Sequence, residues 1–177
     1  MLSYVQARDP VAADALRVAS ITGLRRSELV KKLKWGELDA AHKAVLIRQR
    51  KHPRRTLARD EWVPLLGEAW IIVQRQPKGD TDSPVFPISP EKITDLFTAA
   101  TRACGIPDLR LHDLRHLASS RLQEMGFDDV ERMAITGHKS VAMNARYTHP
   151  TPEHLHAKFT AATKAANKPV RRKAATR

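Results

Sequence analysis

Apolar side chains recur at three- and four-residue spacing along most of this chain, with two short β-prone runs among them, which predicts a mainly helical α+β protein with a small antiparallel sheet. Asp9-Pro10 reads as an N-cap with a first-turn proline, and Val11, Ala15, Leu16 and Ala19 continue the helical spacing until Gly23 ends it. A second short helix is predicted from Ser27 to Leu33, so the loop between the two presents Arg25 and Arg26. Val45-Leu46-Ile47 and Glu61-Trp62-Val63-Pro64-Leu65 read as a hairpin whose connector is rich in Arg, Lys and Pro. Helices follow over residues 67–76 and from Ser89-Pro90-Glu91, the latter carrying Ile93, Leu96, Phe97 and Ala100.

The clearest stripe is Leu111, Leu114, Ala118, Leu122 and Met125, closed by Gly126. Asp128 caps a short helix that stops at Gly137, Ser140 can cap a further turn towards Tyr147, and Thr151-Pro152-Glu153 opens a last helix with Leu155, Phe159 and Ala162 on one side. There is no internal repeat and no dividing linker. A chain of 177 residues is large enough for a single core, here assigned to residues 1–165, with 166–177 read as a basic, disordered tail.

Composition sharpens this picture. With 42% hydrophobic and 28% charged residues, a wholly disordered chain, a collagen-like repeat and a membrane bundle are disfavoured. No stretch approaches the roughly 20 apolar residues that span a bilayer, so a cytoplasmic protein is expected. Thirty-one Lys and Arg against nineteen Asp and Glu give a net charge of +12, and duplex DNA is the leading partner. The excess lies in two regions, residues 40–59 and 154–177, each with seven cations and no acid. A solvated loop and a solubilising tail are the plainer reading of those runs. The single Cys104 cannot form an internal disulfide and reads as a small buried hydrophobe.

On the clearest helix His112 and Arg115 share a face away from the apolar stripe, so a titratable imidazole and a permanent cation project together. His112 and His116 also stand at i and i+4 as in zinc-protease helices, but Asp113 replaces the glutamate and no third ligand is evident; His154 and His156 read as exposed helix residues. Glycine-rich phosphate loops and a dinucleotide fingerprint are absent from the sequence, as are clustered carboxylates for two magnesium ions. Phosphoryl transfer would therefore fall to side chains.

Taken in order, Thr22-Gly23-Leu24-Arg25-Arg26-Ser27-Glu28-Leu29, Arg50-Lys51, Leu111-His112-Asp113-Leu114-Arg115-His116, Thr136-Gly137-His138-Lys139-Ser140 and Arg146-Tyr147-Thr148-His149 resemble the tyrosine recombinase, or phage integrase, family over about residues 10–165. The intervals are the specific part: three residues from His112 to Arg115, twenty-three to His138, nine to Tyr147.

The resemblance implies a DNA breaking-rejoining catalytic fold that cuts and rejoins strands through a 3′-phosphotyrosyl intermediate, with neither metal nor ATP as cofactor. Arg25 and Arg115 would clamp the scissile phosphate and His138 would add a hydrogen bond. Tyr147 would be the nucleophile, Lys51 the acid for the departing 5′ oxygen, His112 an acid/base partner of the tyrosine, and Glu28 the residue that orients an arginine. Arg26, Arg48, Arg50, Arg54, Arg55 and Lys139 are the expected DNA contacts. Arg50, Arg54 and Arg55 also compete with Lys51 for the acid's place in the hairpin.

Relatives assemble as synaptic tetramers, which implies self-association on DNA. Thr136 stands where the family commonly has Leu, and Leu117 where Thr is frequent. Relatives also carry a helical domain ahead of the catalytic one, whereas this sequence starts near the first catalytic helix, as in an excised domain or a truncated remnant. Two other functions stay open: an inactive remnant that only binds DNA, and type IB topoisomerase-like nicking and resealing.

Overall fold

Asp9 turns the chain into the helix around which the rest is arranged. The computed structural model describes residues 1–50 and 59–137. After a short α1 (Leu2–Gln6), the Asp9 carboxylate accepts from the Ala12 N–H at 2.9 Å and opens α2 (Pro10–Thr22). Gly23 closes it in the left-handed region, φ 66°, with its N–H on the Ala19 carbonyl. Leu16 and Val18 of α2 are fully buried, and the helix packs against α1 and against two helices that come later in the chain.

The predicted second helix is a wide π-type turn, Glu28–Lys32, followed by a single 3-10 turn at Trp35–Glu37. Among the described residues the sheet has three strands rather than a bare hairpin: β1 (Leu38–Asp39), β2 (Ala44–Arg50) and β3 (Arg59–Pro64), antiparallel in that order. Val45 pairs with Val63 and Ile47 with Glu61, but Arg50 pairs with Arg59, so β2 carries one extra residue. This is a β-bulge, with Gln49 at φ 47°. Its backbone is held on both sides. Lys32 Nζ donates to the Arg48 and Gln49 carbonyls at 2.7 and 2.8 Å, and the Gln49 N–H donates to Asp60 Oδ1 at 2.9 Å.

Among the described residues four helices follow: α3 (Glu68–Gln74), α4 (Pro90–Ala103), α5 (Asp113–Glu124) and α6 (Asp129–Thr136). Ser89 caps α4 through the Lys92 N–H, and Asp128 with Glu131 forms a reciprocal capping box on α6, whose other end is closed by Gly137 at φ 72°. Ile47 and Val63 of the sheet, Ile72 of α3, Phe86, and Ile93 and Phe97 of α4 belong to one buried core cluster with Leu16 and Val18 of α2.

Three details depart from the sequence reading. Helix α5 begins at Asp113, not Leu111, because the Asp113 carboxylate binds the Arg110 N–H and turns the preceding residues. Met125 is 74% exposed, since it falls after the last turn of α5, where the chain reverses at Gly126. Cys104 is exposed rather than buried because it occupies the C-cap of α4. The cationic connector, the turn at Ser140, the last helix and the basic tail lie outside the described residues, as does the boundary at residue 165. Among the described residues no helix is long and apolar enough to cross a membrane.

Candidate active site

The end of α2 builds the first half of the site. Beyond Gly23 the chain runs through Leu24 to Arg25, and Glu28, in the following turn, reaches back. Its carboxylate accepts from the Arg25 backbone N–H at 3.0 Å and from Arg25 Nη1 at 2.7 Å. One acid therefore fixes both the main chain and the guanidinium of the same arginine, whose side chain keeps 28% of its surface open.

Helix α5 supplies the second half. Arg115, in its first turn, is 3% exposed and donates from Nη1 to the Gly23 carbonyl at 2.6 Å. That carbonyl belongs to the negative end of α2, which favours a cation there. Gly23 is required by space as well as by its backbone: a Cβ would lie 3.0 Å from Thr136 Cγ2 and 3.4 Å from Ala118 Cβ, so α2, α5 and α6 meet at this residue. Arg115 thus does not project freely beside His112, as spacing alone suggests; it is buried because the carbonyl it needs comes from another helix.

Arg25, Arg26, His112, Arg115 and Thr94 line a cavity of about 240 Å³ together with the apolar Ala19, Leu24, Leu29 and Leu111. Burial, reinforced by the nearby Arg25 and Arg50 charges, pushes the Arg115 guanidinium down to about 9, so it remains cationic at neutral pH. Burial and then Arg115 hold His112 below its ordinary value; burial and then His112 do the same for His116. Both imidazoles are neutral at pH 7 and able to accept a proton. Their rings meet edge to face with centroids 5.2 Å apart. Among the described residues no three His, Cys, Asp or Glu side chains gather to hold a metal ion.

Arg50 departs most from expectation. Anticipated on the DNA-facing surface, its side chain is wholly buried, with Nε 3.2 Å from Glu28 Oε1 and Nη1 3.3 Å from Glu61 Oε2. Burial would raise the Glu28 carboxyl, but the Arg50 charge, the Arg25 N–H and the Arg25 charge together hold it below the usual carboxylate range. Among the described residues, three guanidiniums (Arg25, Arg50, Arg115) gather here with two carboxylates (Glu28, Glu61).

Of the other expected contacts, Arg26 stands exposed at the cavity mouth and donates to Thr94 Oγ1 at 2.9 Å, a partner on α4 that sequence reasoning did not anticipate. Arg48 is exposed on the outer face of the sheet, paired with Glu37 at 2.6 Å and Asp60 at 3.3 Å. Lys51, Arg54, Arg55, His138, Lys139 and Tyr147 lie outside the described residues.

Residues 3–154 match the phage integrase family. The shufflon-specific DNA recombinase of Escherichia coli is 35% identical over 129 residues, 72% of this chain and 32% of that protein. Among solved structures, the catalytic domain of bacteriophage HP1 integrase superposes with a TM-score of 0.64 at 21% identity, covering 95% of this chain and 94% of that one. The Tn1549 transposon integrase, solved in complex with circular intermediate DNA, gives 0.66 at 19% identity over 89% of this chain and 61% of that one. The chain spans about a third of the length of the curated relatives it matches first.

Proposed function

Because this chain belongs to the phage integrase family, we propose that it acts on duplex DNA as a tyrosine-type site-specific recombinase or integrase. The observation that carries this reading is the convergence of Arg25, Arg115 and His112 on one cavity, with Glu28 gripping Arg25 from behind. A phosphodiester repels nucleophiles because it is already negative, and preorganised donors aimed at its oxygens stabilise the added charge of the pentavalent transition state. A bidentate arginine on each side suits that geometry.

In this mechanism Tyr147 Oη attacks the phosphorus. The P–O5′ bond breaks, a 3′-phosphotyrosyl bond forms, and the 5′ oxygen leaves as a hydroxyl after taking a proton from Lys51. His138 donates to the phosphate. His112, neutral at pH 7, takes the phenolic proton directly or through its neighbours and returns it in the reverse step. Attack of a second 5′ hydroxyl on the phosphotyrosine reseals the strand without ATP, since one ester replaces another. Exchange between two duplexes requires several copies on DNA, and a tetramer is the proposed assembly. Arg26 at the cavity mouth and the cations of the hairpin connector would hold flanking phosphates, which position the duplex rather than read it.

Incubating the chain with a duplex nicked close to the cleavage point traps the covalent adduct, because the short fragment diffuses away. A denaturation-resistant DNA adduct that Tyr147→Phe abolishes is the expected result. Salt-sensitive binding without any adduct would leave a DNA-binding module instead, and adduct formation accompanied by relaxation of supercoils with no exchange would indicate topoisomerase-like chemistry.

A further inference from the structure

We infer that Arg50 is a positioning residue for this site, tying the sheet to the Arg25 turn and to the C-terminal end of α6, and not a contact to DNA. The inference rests on the reading of Arg25 as a phosphate ligand.

The strand pattern shows how a residue inside a cationic run comes to be buried. Val45 and Ile47 face the core, and strict alternation would put Arg50 outward beside Leu46 and Arg48. The extra residue at Arg48–Gln49 reverses the alternation, so Gln49 is exposed and Arg50 turns inward. Lys32 and Asp60 pin that bulge through three hydrogen bonds.

Once inside, Arg50 meets acceptors from three different elements. Its Nε and Nη2 lie 3.2 and 3.3 Å from the two oxygens of Glu28, Nη1 is 3.3 Å from Glu61 on β3, and Nη2 donates to the Thr136 carbonyl at 2.8 Å. The planar fork fits this spread of acceptors, which a single ammonium could not reach together. Glu28 is thereby shared: the carboxylate that grips Arg25 is itself oriented by Arg50. At the other end, a Cβ on Gly137 would collide with Arg50 Cζ, so the residue preceding His138 is a glycine whose missing side chain makes room for the guanidinium.

The test separates rate from affinity. With the full chain and a nicked duplex, Arg50→Lys is expected to lower adduct formation at saturating DNA by roughly 10²-fold, the scale of a displacement of about 1 Å at a preorganised site. DNA affinity and its salt dependence should stay within about twofold. A surface contact would behave oppositely, weakening binding and reducing the log–log salt slope by about one while leaving the saturated rate intact; that result overturns the inference. Lys32→Met, which releases the bulge but keeps Arg50, is expected to shift the saturated rate in the same direction by less, and it decides the matter if Arg50→Lys does not fold. A wild-type chain that forms no adduct refutes the recombinase reading alone. Arg50 is then judged by NMR, where either variant must shift both the Gly137 amide and the Arg25 Nε–H signals, and unmoved signals reject it.

Discussion

Gly23 offers the sharpest test of how the site is assembled, because two separable costs fall on one substitution. Gly23→Ala must hold an alanine at φ 66°, a left-handed conformation costing about 1–2 kcal/mol for an L residue. It must also place a methyl 3.0 Å from Thr136 Cγ2 and 3.2 Å from Thr136 Cβ, contacts that force α6 or α5 to yield and add about 1–3 kcal/mol of overpacking. Gly105→Ala isolates the first cost, since Gly105 has φ 72° and no atom within 4 Å of the place its methyl would take. Urea unfolding of the two variants beside wild type therefore measures the close approach by difference, and Gly23→Ala should be the less stable by about 1–3 kcal/mol. At about 2–4 °C per kcal/mol for a domain of this size, the melting temperatures should differ by roughly 2–12 °C. Coincident midpoints with unchanged m values would refute the claim that three helices converge on that residue.

Two further outcomes follow from the charges around it. Glu28→Gln leaves Arg25 and Arg50 without their shared carboxylate and should cost about 3–5 kcal/mol at pH 7, the scale for breaking a buried ion pair. Because the folded Glu28 is held below its unfolded value, its contribution is present above that unfolded value and disappears as pH falls through the folded one; denaturation from pH 7 to 3 should show the gap to wild type closing on acidification, and a constant gap would contradict it. His112 is depressed by burial, then by Arg115 and Arg25, with Asp113 opposing, and His116 stands against its ring. The unfolded chain therefore binds more protons just below the ordinary histidine value, so stability falls as pH drops through about 6.5, and His112→Asn should flatten that slope in a pH series of thermal melts.

What could be read from the residues was mostly local. Asp9-Pro10 and Gly23 bracket α2, and Ser89 and Asp128 open α4 and α6, because a cap acts on N–H groups within three residues of itself. The resemblance implied that Glu28 orients an arginine, and in the structure that arginine is Arg25, only three residues away. The burial of Arg50 was not legible because its orientation depends on one inserted residue and on a lysine far back in the chain; a run of cations gives no sign of which member faces inward. The depth of Arg115 was equally hidden, since its acceptor at Gly23 is 92 residues away. Met125 was placed by periodicity continued past the point where its helix stops, and Cys104 by the general tendency of free cysteines to be buried.

The ion cluster at Glu28, Arg50 and Glu61 bears on how hybrid proteins should be cut. An engineer who exchanges the β2–β3 ribbon to retarget such a protein would carry away the guanidinium and one acid while stranding the other acid in the recipient. Crossover points that keep positions 28, 50 and 61 from a single parent avoid that mismatch, so chimaeras should be divided according to this triad and not at the ends of the strands.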